Sequence, residues 1–224
     1  MKLLDKRNKV WLLNEKDDDF SFPKLEQMGG DLVAIGGDFH PQRLINAYYG
    51  GLFPWFIDDY NYIHWYSPQK RMVLKPNEFK LSKSLRKTIE KNGFVVKLNS
   101  NFTEVIKSCS SIKRKHEDET WISEEFIEAY TNLHNLGIAN SVEVYLDEKL
   151  VGGLYGLLID DIFCGESMFS YVNDASKVAF FYLCQIALEK NIKLIDCQVY
   201  NSHLASLGAY EIDRVEYFKL LNNS

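Results

Sequence analysis

Three segments typical of strands follow one another in the second half of the chain, and the turns between them are too short to hold a helix. They span residues 141–147, 149–159 and 162–170. Strands joined by such short turns pair antiparallel. A long apolar helix at 175–191 and a further strand at 193–199 follow. This order predicts an α+β fold with a mixed sheet and helices on its faces, as in acetyltransferase-type domains.

The first half of the chain predicts a smaller unit. A strand at 32–35 lies between two Gly-Gly-Asp turns, and a helix at 41–49 begins at a proline and ends at Gly50 and Gly51. The other predicted elements are an aromatic turn at 53–56, a strand at 94–99, helices at 102–112 and 124–137, a charged loop at 113–119 and a short helix near 217–221. We therefore expect a small N-terminal α+β domain at 1–70 and an acetyltransferase-like, mixed-sheet domain at 71–224.

Composition limits the chemistry. The chain has 224 residues, 46% of them hydrophobic, which is enough to bury a full core. Its net charge of −5 argues against general coating of nucleic acid but allows a local basic patch. The cysteines form no C-x-x-C pair and the histidines show no zinc-ligand spacing, so we expect reduced thiols and no metal. No apolar stretch reaches the roughly 18 to 20 residues that cross a bilayer, which favours a cytoplasmic protein without membrane partners.

The segment LIDCQVYN, residues 194–201, places polar side chains in an otherwise apolar strand. Because side chains alternate along a strand, Asp196 and Gln198 share one face, and Ile195 and Cys197 share the other. Burying a carboxylate without a partner is costly, so the polar face predicts a site. The same alternation turns Cys197 away from the polar pair, which disfavours a cysteine nucleophile.

Nucleotide-binding and acetyl-CoA-binding loops are missing. Neither GxGxxG nor GxxxxGK[ST] occurs. An acetyl-CoA enzyme of this fold would carry [QR]-x-x-G-x-[GA] before the long helix, whereas MFSYVNDASK, residues 168–177, has no glycine. Acetyl-CoA is therefore disfavoured as a donor, and an acetyl-CoA N-acetyltransferase is kept as a rival. We expect Asp174 to cap the long helix, whose start, with Ser176 and Lys177, is suited to meeting a phosphate.

One helix-like segment is basic on one side and apolar on the other. Its basic residues are Lys83, Arg86, Lys87 and Lys91, and its apolar residues are Leu81, Leu85 and Ile89. The simpler interpretation is a surface helix exposed to solvent. The more specific interpretation is a face that contacts RNA phosphates. Three of the four tryptophans lie in FPWF, HWYSP and TWIS, beside predicted turns. Such rings commonly fill cores, but beside a basic helix they are also suited to stacking unpaired bases.

Seven segments together resemble one family. AIGGDFHPQRLINAYYGGLFPWF, YSPQKRMVL, TWISEEFIEAY, SVEVYLDEKLVGGLYG, FCGESMFS, NDASKVAF and LIDCQVYNSHLASLGA are similar, in this order, to motifs of bacterial leucyl/phenylalanyl-tRNA-protein transferases. The resemblance implies transfer of leucine or phenylalanine from Leu-tRNA or Phe-tRNA to the N-terminal Lys or Arg of a protein, with methionine as a further donor to test. The product would be an N-degron that marks the protein for degradation. We expect no cofactor and a monomer.

The resemblance also implies site residues, position by position. Asp196 and Gln198 match the proposed catalytic stretch, and Glu166 of FCGES is expected near the reacting amine. The residues expected around the 3′-terminal adenosine are Tyr48, Trp55 and Trp121. Those expected to line an apolar pocket for the transferred side chain are Leu154, Phe180, Leu183 and Ile195. Those expected to contact acceptor-stem phosphates are Lys83, Arg86, Lys87 and Lys91, whereas Glu90 stands where a further positive charge is expected.

Two questions follow from this assignment. The side chains of Ile195 and Asp196 lie on opposite faces of the strand. A bulge or twist is therefore needed if Ile195 is to line the pocket while Asp196 lies near the amine. Gln198 acts either as a general base polarised by Asp196, as proposed for this family, or as an acceptor that holds the attacking amine. A carboxamide is a very weak base, which favours the second role. An RNA-binding module without catalysis is the rival of a different class.

Overall fold

The chain divides into two units. The computed structural model describes residues 1–15, 19–91, 93–112 and 121–222. The first unit is Met1–Arg71 with Glu211–Ser224, and the second is Met72–Tyr210. The domain division at 1–70 and 71–224 stays a prediction, but the structure groups the residues after 210 with the first unit, which the sequence did not indicate.

The first unit is built on a five-stranded mixed sheet. Its N-terminal elements are β1 (Lys2–Asp5), β2 (Val10–Leu13), β3 (Leu32–Gly36), α1 (Pro41–Tyr49), β4 (Phe53–Ile57) and β5 (Ile63–Tyr66). The sheet order is β1-β2-β3-β5-β4, with β2 and β3 parallel and the other pairs antiparallel. The predicted helix at 41–49 is confirmed.

The predicted aromatic turn at 53–56 is wrong, because FPWF forms most of strand β4. Pro54 suggested a turn, but β4 is at the edge of its sheet, where a proline without an N–H group is tolerated. The ring of Trp55 packs across to Tyr66 of β5, with the ring centroids 4.8 Å apart. Aromatic pairing across strands therefore stabilises the segment as a strand.

The second unit carries most of the larger sheet. The remaining elements of the chain are β6 (Lys70–Leu74), α2 (Lys83–Lys91), β7 (Val95–Leu98), α3 (Phe102–Ser111), α4 (Glu124–Asn135), β8 (Ala139–Leu146), β9 (Lys149–Ile159), β10 (Ile162–Ser170), α5 (Ala175–Glu189), β11 (Leu194–Gln198), α6 (Ser202–Ser206), β12 (Tyr210–Asp213) and α7 (Arg214–Asn222). The sheet order is β12-β6-β11-β10-β9-β8-β7, in which β10 and β11 are parallel. The predicted α+β fold with a mixed sheet is confirmed, whereas the predicted charged loop at 113–119 lies outside the described residues.

Within the first unit, one buried and one half-buried arginine connect the residues after 210 to the N-terminal part. The guanidinium of Arg71, a residue only 1% exposed, lies between the rings of Phe53 and Tyr217, 4.8 and 4.6 Å from their centroids. Arg214 at the start of α7 donates to the carbonyl oxygens of residues 29, 30 and 67. These partners are far apart in the chain, so no local pattern predicts them.

The two faces of the larger sheet pack against different helices. On one face, strand residues and α5 form an apolar cluster whose members include Val142, Leu154, Phe163, Val178, Phe180, Leu183 and Ile195. On the other face, rings of α3 and α4 contact Tyr155 of β9, and we call this the α4 face. Because Leu154 and Tyr155 are neighbours on β9, their side chains point to opposite faces. Among the described helices, none has both the length and the apolar character that a membrane crossing requires.

The start of α5 differs from the prediction. Asp174 occupies the N-cap position, but its backbone has a left-handed φ of 66° and its side chain makes no capping hydrogen bond. An N-cap residue normally has an extended backbone, which aims its side chain at the first turn. The carboxylate instead accepts from Lys177 at 2.6 Å, and the Oγ of Ser170 accepts the N–H of Ser176 at 3.2 Å. The predicted side-chain cap by Asp174 is therefore wrong.

Candidate active site

Two neighbouring strands separate where the predicted catalytic residues lie. The parallel pairing of β10 with β11 ends at Cys164 and Asp196, although β10 continues to Ser170. At the same level, β10 shifts its register against β9 on either side of Glu166, and β11 shifts its register against β6 on either side of Cys197. Such irregularities change the direction of the side chains beside them. The sheet therefore opens beside Glu166 and the end of β11.

Gln198 ends β11 in an unusual backbone conformation. Its φ is +63°, in the left-handed region, which costs a residue with a side chain about 1–2 kcal/mol. The Oδ1 of Asp196, a residue that is fully buried, accepts the Gln198 backbone N–H at 2.9 Å. Asp196 thus acts on Gln198 through the main chain. Strained backbone of this kind is often found at functional sites.

The side chain of Gln198 is oriented by a carboxylate. Its Nε2 donates to Glu166 Oε1 at 2.7 Å, and the hydroxyl of Tyr130 donates to Glu166 Oε2 at 3.1 Å. A carboxylate can only accept hydrogen bonds, so the NH₂ group of the amide must face Glu166. The carbonyl oxygen of Gln198 consequently faces away from Glu166. The site presents a carboxamide oxygen held in a defined direction, suited to accepting a hydrogen bond.

The two faces of β11 carry different side chains, as the alternation predicts. Ile195 belongs to the apolar cluster, and Cys197 packs against it. The register shift at Cys197 is the kind of irregularity expected if one strand is to contact both the pocket and the amine. Gln198 then reaches Glu166, which also contacts Tyr130 of the α4 face. The strand therefore presents polar groups on one side and apolar groups on the other.

The side chain of Cys197 packs against the apolar cluster and not with the polar pair of β11. All four cysteines are thiols rather than disulfides, and burial raises the pKa of Cys184 to about 12, which keeps its thiol neutral. Burial lowers the pKa of His203, and the positive charge of Lys177 lowers it further. Cys197 lies on the opposite side of β11 from Asp196, as predicted. Among the residues that the structure describes, no group of three His, Cys, Asp or Glu side chains is placed to hold a metal.

The four residues predicted to line an apolar pocket lie together. Leu154, Phe180, Leu183 and Ile195 all belong to the apolar cluster, and each is at most 4% exposed. Phe79 extends this group, because its ring centroid lies 6.0 Å from that of Phe180. The structure thus brings the predicted residues into one group, and their contact with a transferred side chain stays a prediction.

The aromatic residues predicted near the adenosine lie in different units. Tyr48 and Trp55 belong to the first unit, where Tyr48 is only 1% exposed and Trp55 is half-buried. Trp121 belongs to the second unit, where its ring packs edge-on against Phe126 of α4 at 5.4 Å. The Phe126 ring in turn stacks with Tyr130 at 6.1 Å. Trp121 is thus connected through α4 to the residues that hold Glu166.

The basic helix forms as predicted. In α2, Leu85 is buried and Ile89 is half-buried, while four basic side chains are exposed. The exposed basic residues are Lys83, Arg86, Lys87 and Lys91. Within the described ranges, none of these four forms a salt bridge. The four basic groups are exposed together on one helix, and Glu90 is exposed on the same helix.

Comparison with known proteins identifies the family. Residues 73–222 match the family described as leucyl/phenylalanyl-tRNA protein transferase, and residues 37–69 match the N-terminal domain of the same family. This chain belongs to the leucyl/phenylalanyl-tRNA protein transferase family. The resemblance of its sequence motifs to this family is confirmed.

Individual relatives agree with the assignment. The leucyl/phenylalanyl-tRNA–protein transferase of Flavobacterium johnsoniae is 52% identical over 206 residues, which cover 92% of this chain and 97% of the relative. The enzyme of the same name from Nitrosomonas eutropha is 49% identical, covering 91% of this chain and 87% of the relative. Among solved structures, FemX is 12% identical with a TM-score of 0.49, covering 65% of this chain and 60% of FemX.

One residue of the candidate site in this transferase-family chain was not found from sequence. Tyr130 lies in a helical stripe with Phe126, Ile127 and Leu133, all of them buried. Such a stripe is typical of core packing. The available signal was the hydroxyl group, because a buried tyrosine usually hydrogen-bonds to a partner. The sequence does not show which partner that is.

The strained backbone of Gln198 can be tested by stability. Gln198→Gly should be more stable than Gln198→Ala by about 0.5–1 kcal/mol, because alanine keeps the cost of the left-handed conformation and glycine does not. The measurement is the free energy of unfolding in denaturant. Cys197, which is not among the residues with positive φ, provides the matched control. There glycine should be less stable than alanine, and the same order at Gln198 would contradict the proposed strain.

Proposed function

We propose that this protein transfers leucine or phenylalanine from aminoacyl-tRNA to the N-terminal lysine or arginine of acceptor proteins. The proposal rests on one observation in a chain of this family: Glu166 accepts a hydrogen bond from the carboxamide of Gln198 at the point where β10 and β11 separate. Methionine is a further donor to test. The product would carry a new N-terminal residue that marks it for degradation, and we place the reaction in the cytoplasm.

The reaction requires alignment more than activation. The ester of an aminoacyl-tRNA is already reactive, and an α-amine with a pKa of about 7.7 to 8.0 is partly neutral near pH 7. The amine nitrogen forms a bond to the ester carbonyl carbon, and the bond from that carbon to the tRNA 3′-terminal oxygen breaks. The proton lost by the amine ends on the departing hydroxyl. Positioning of this kind can lower a barrier by roughly 7–11 kcal/mol.

Gln198 suits a positional role. Since its Nε2 donates to Glu166, its carbonyl oxygen is free of that bond and can accept an N–H of the attacking amine. A hydrogen bond of this type selects the orientation in which the nitrogen lone pair faces the ester. A carboxamide is too weak a base to remove a proton efficiently near neutral pH. These features support a holding role rather than general-base catalysis.

Asp196 suits a supporting role. Its carboxylate is fully buried and accepts the backbone N–H of Gln198. This contact supports an effect on the position of Gln198, rather than a charge relay through the glutamine side chain. Glu166 is only half-buried, so it is the better placed of the two carboxylates to attract a cationic acceptor. Such attraction would favour acceptors whose first residue is Lys or Arg.

The donor would be held by three sets of residues. We propose that Tyr48, Trp55 and Trp121 contact the 3′-terminal adenosine and that the apolar cluster receives the transferred side chain. Burial of a leucine or phenylalanine side chain among apolar residues contributes about 1.5–3 kcal/mol. The exposed basic residues of α2 would contact phosphates of the acceptor stem.

The central test is a transfer assay with matched donors and acceptors. The protein is mixed with separately charged Leu-, Phe-, Met- or Arg-tRNA and with peptides that begin with Arg, Lys, Asp or Glu. Mass spectrometry should show the gain of one leucine or phenylalanine residue on the peptides that begin with Arg or Lys. The amino acid is activated by its ester bond to the tRNA. Uncharged tRNA with free leucine lacks that ester and is therefore the negative control.

Two results of this assay would contradict the proposal. Binding of charged tRNA without any mass gain would favour an RNA-binding module that lacks catalysis. A mass gain of one acetyl group from acetyl-CoA without tRNA would favour an N-acetyltransferase.

The basic helix provides a separate prediction. The double variant Lys83→Glu/Lys87→Glu should weaken tRNA binding about tenfold or more and should make the affinity less dependent on salt, because each lost phosphate contact lowers the log–log slope by about 0.7–0.9. The measurement is the Kd for tRNA at several salt concentrations.

A control variant separates this effect from net charge. The double variant Lys107→Glu/Lys190→Glu makes the same change in net charge. Lys107 is an exposed residue of α3, and Lys190 is the exposed residue that follows α5. The control should bind nearly as tightly as the wild-type protein. Equal losses for the two variants would contradict a specific role for α2.

A further inference from the structure

We propose that Tyr130 is a positioning residue for peptide transfer, acting on Gln198 through Glu166. The inference rests on the proposed function and adds a residue to its machinery. Tyr130 is fully buried in α4, and its hydroxyl donates to Glu166 Oε2 at 3.1 Å. Its effect would pass through the hydrogen-bonded chain from the Tyr130 hydroxyl to the Glu166 carboxylate and on to the Gln198 amide.

The ring of Tyr130 is fixed by its neighbours. It stacks on Phe126 with the ring centroids 6.1 Å apart and an angle of 11° between the ring planes. It also meets Tyr155 of β9 edge-on at 5.7 Å. A tyrosine packed on two sides holds its hydroxyl in one place. Tyr130 thus provides a rigid donor on a helix, whereas Glu166 lies in an irregular part of a strand.

Each carboxylate oxygen of Glu166 accepts a hydrogen bond from a different residue. Oε2 accepts from Tyr130, and Oε1 accepts from Gln198 Nε2 at 2.7 Å. The last side-chain bond of a glutamate has a broad torsional preference. Hydrogen bonds on both oxygens of the carboxylate narrow that range. Because the amide of Gln198 follows the position of Oε1, the bond from Tyr130 also sets the direction of the Gln198 carbonyl oxygen.

The variant Tyr130→Phe removes the hydroxyl and keeps the ring. We expect kcat for peptide transfer to fall about tenfold, the effect of losing one hydrogen bond to a charged group. The KM for aminoacyl-tRNA should stay within about twofold, because Tyr130 does not hold the donor. Tyr145→Phe removes a hydroxyl from β8, where the ring contacts Lys97, and is the matched control. This control should transfer at the wild-type rate.

A double-mutant cycle distinguishes positioning from packing. If Tyr130 acts through Glu166, Tyr130→Phe should cause little further loss in a Glu166→Gln background. A purely structural role would instead give losses that multiply. The inference is overturned if the losses multiply, or if Tyr130→Phe transfers at the wild-type rate while Glu166→Gln is slow.

A second measurement is independent of catalysis. The side-chain amide of Gln198 gives an NMR signal that can be assigned by its loss in Gln198→Ala. In Tyr130→Phe this signal should shift and its protons should exchange faster with water, because the carboxylate that holds them is less constrained. An unchanged signal would overturn the positioning role even if the wild-type protein failed to transfer any amino acid. Failure of the wild-type protein to transfer, with the predicted change in the signal, would instead contradict the proposed function alone.

Discussion

The hydrogen bond from Gln198 Nε2 to Glu166 Oε1 is the interaction on which the candidate site depends. Because a carboxylate only accepts, this bond decides which end of the amide faces Glu166 and leaves the carbonyl oxygen as an acceptor. The bond lies beside two irregularities of the sheet, one at Glu166 and one at Cys197. Irregular backbone in β10 and β11 therefore lies beside the hydrogen-bonded pair.

The two faces of the sheet carry different groups. Polar groups meet the α4 face, and the apolar cluster under α5 lies on the other side. The interior strand β11 carries both kinds of group, because its side chains alternate and because it ends in the left-handed residue Gln198. Such a division would let the side chain of a donor amino acid be buried while its ester meets an amine in a polar setting.

Periodic segments of the fold could be predicted from sequence, and long-range contacts could not. The strands β9 and β10 and the helix α1 agree with the predicted ranges, since alternation, turn residues and capping residues act locally. FPWF was misread because edge position is not visible in a single sequence. The grouping of α7 with the first unit depends on Arg71 and Arg214, whose partners are distant in the chain. For the site, alternation separated Asp196 from Cys197, whereas Tyr130 was hidden among core residues.

The most direct test of the central claim compares Gln198→Glu with Gln198→Ala in single-turnover transfer across a range of pH. The positional account predicts that both are slower than the wild-type protein by roughly tenfold or more, since glutamate loses the NH₂ donor and places a second carboxylate against Glu166. It also predicts no rise in rate that follows the titration of a carboxylate. Activity retained only by Gln198→Glu, with a rate that follows such a titration, would contradict the account and establish a general base at this position.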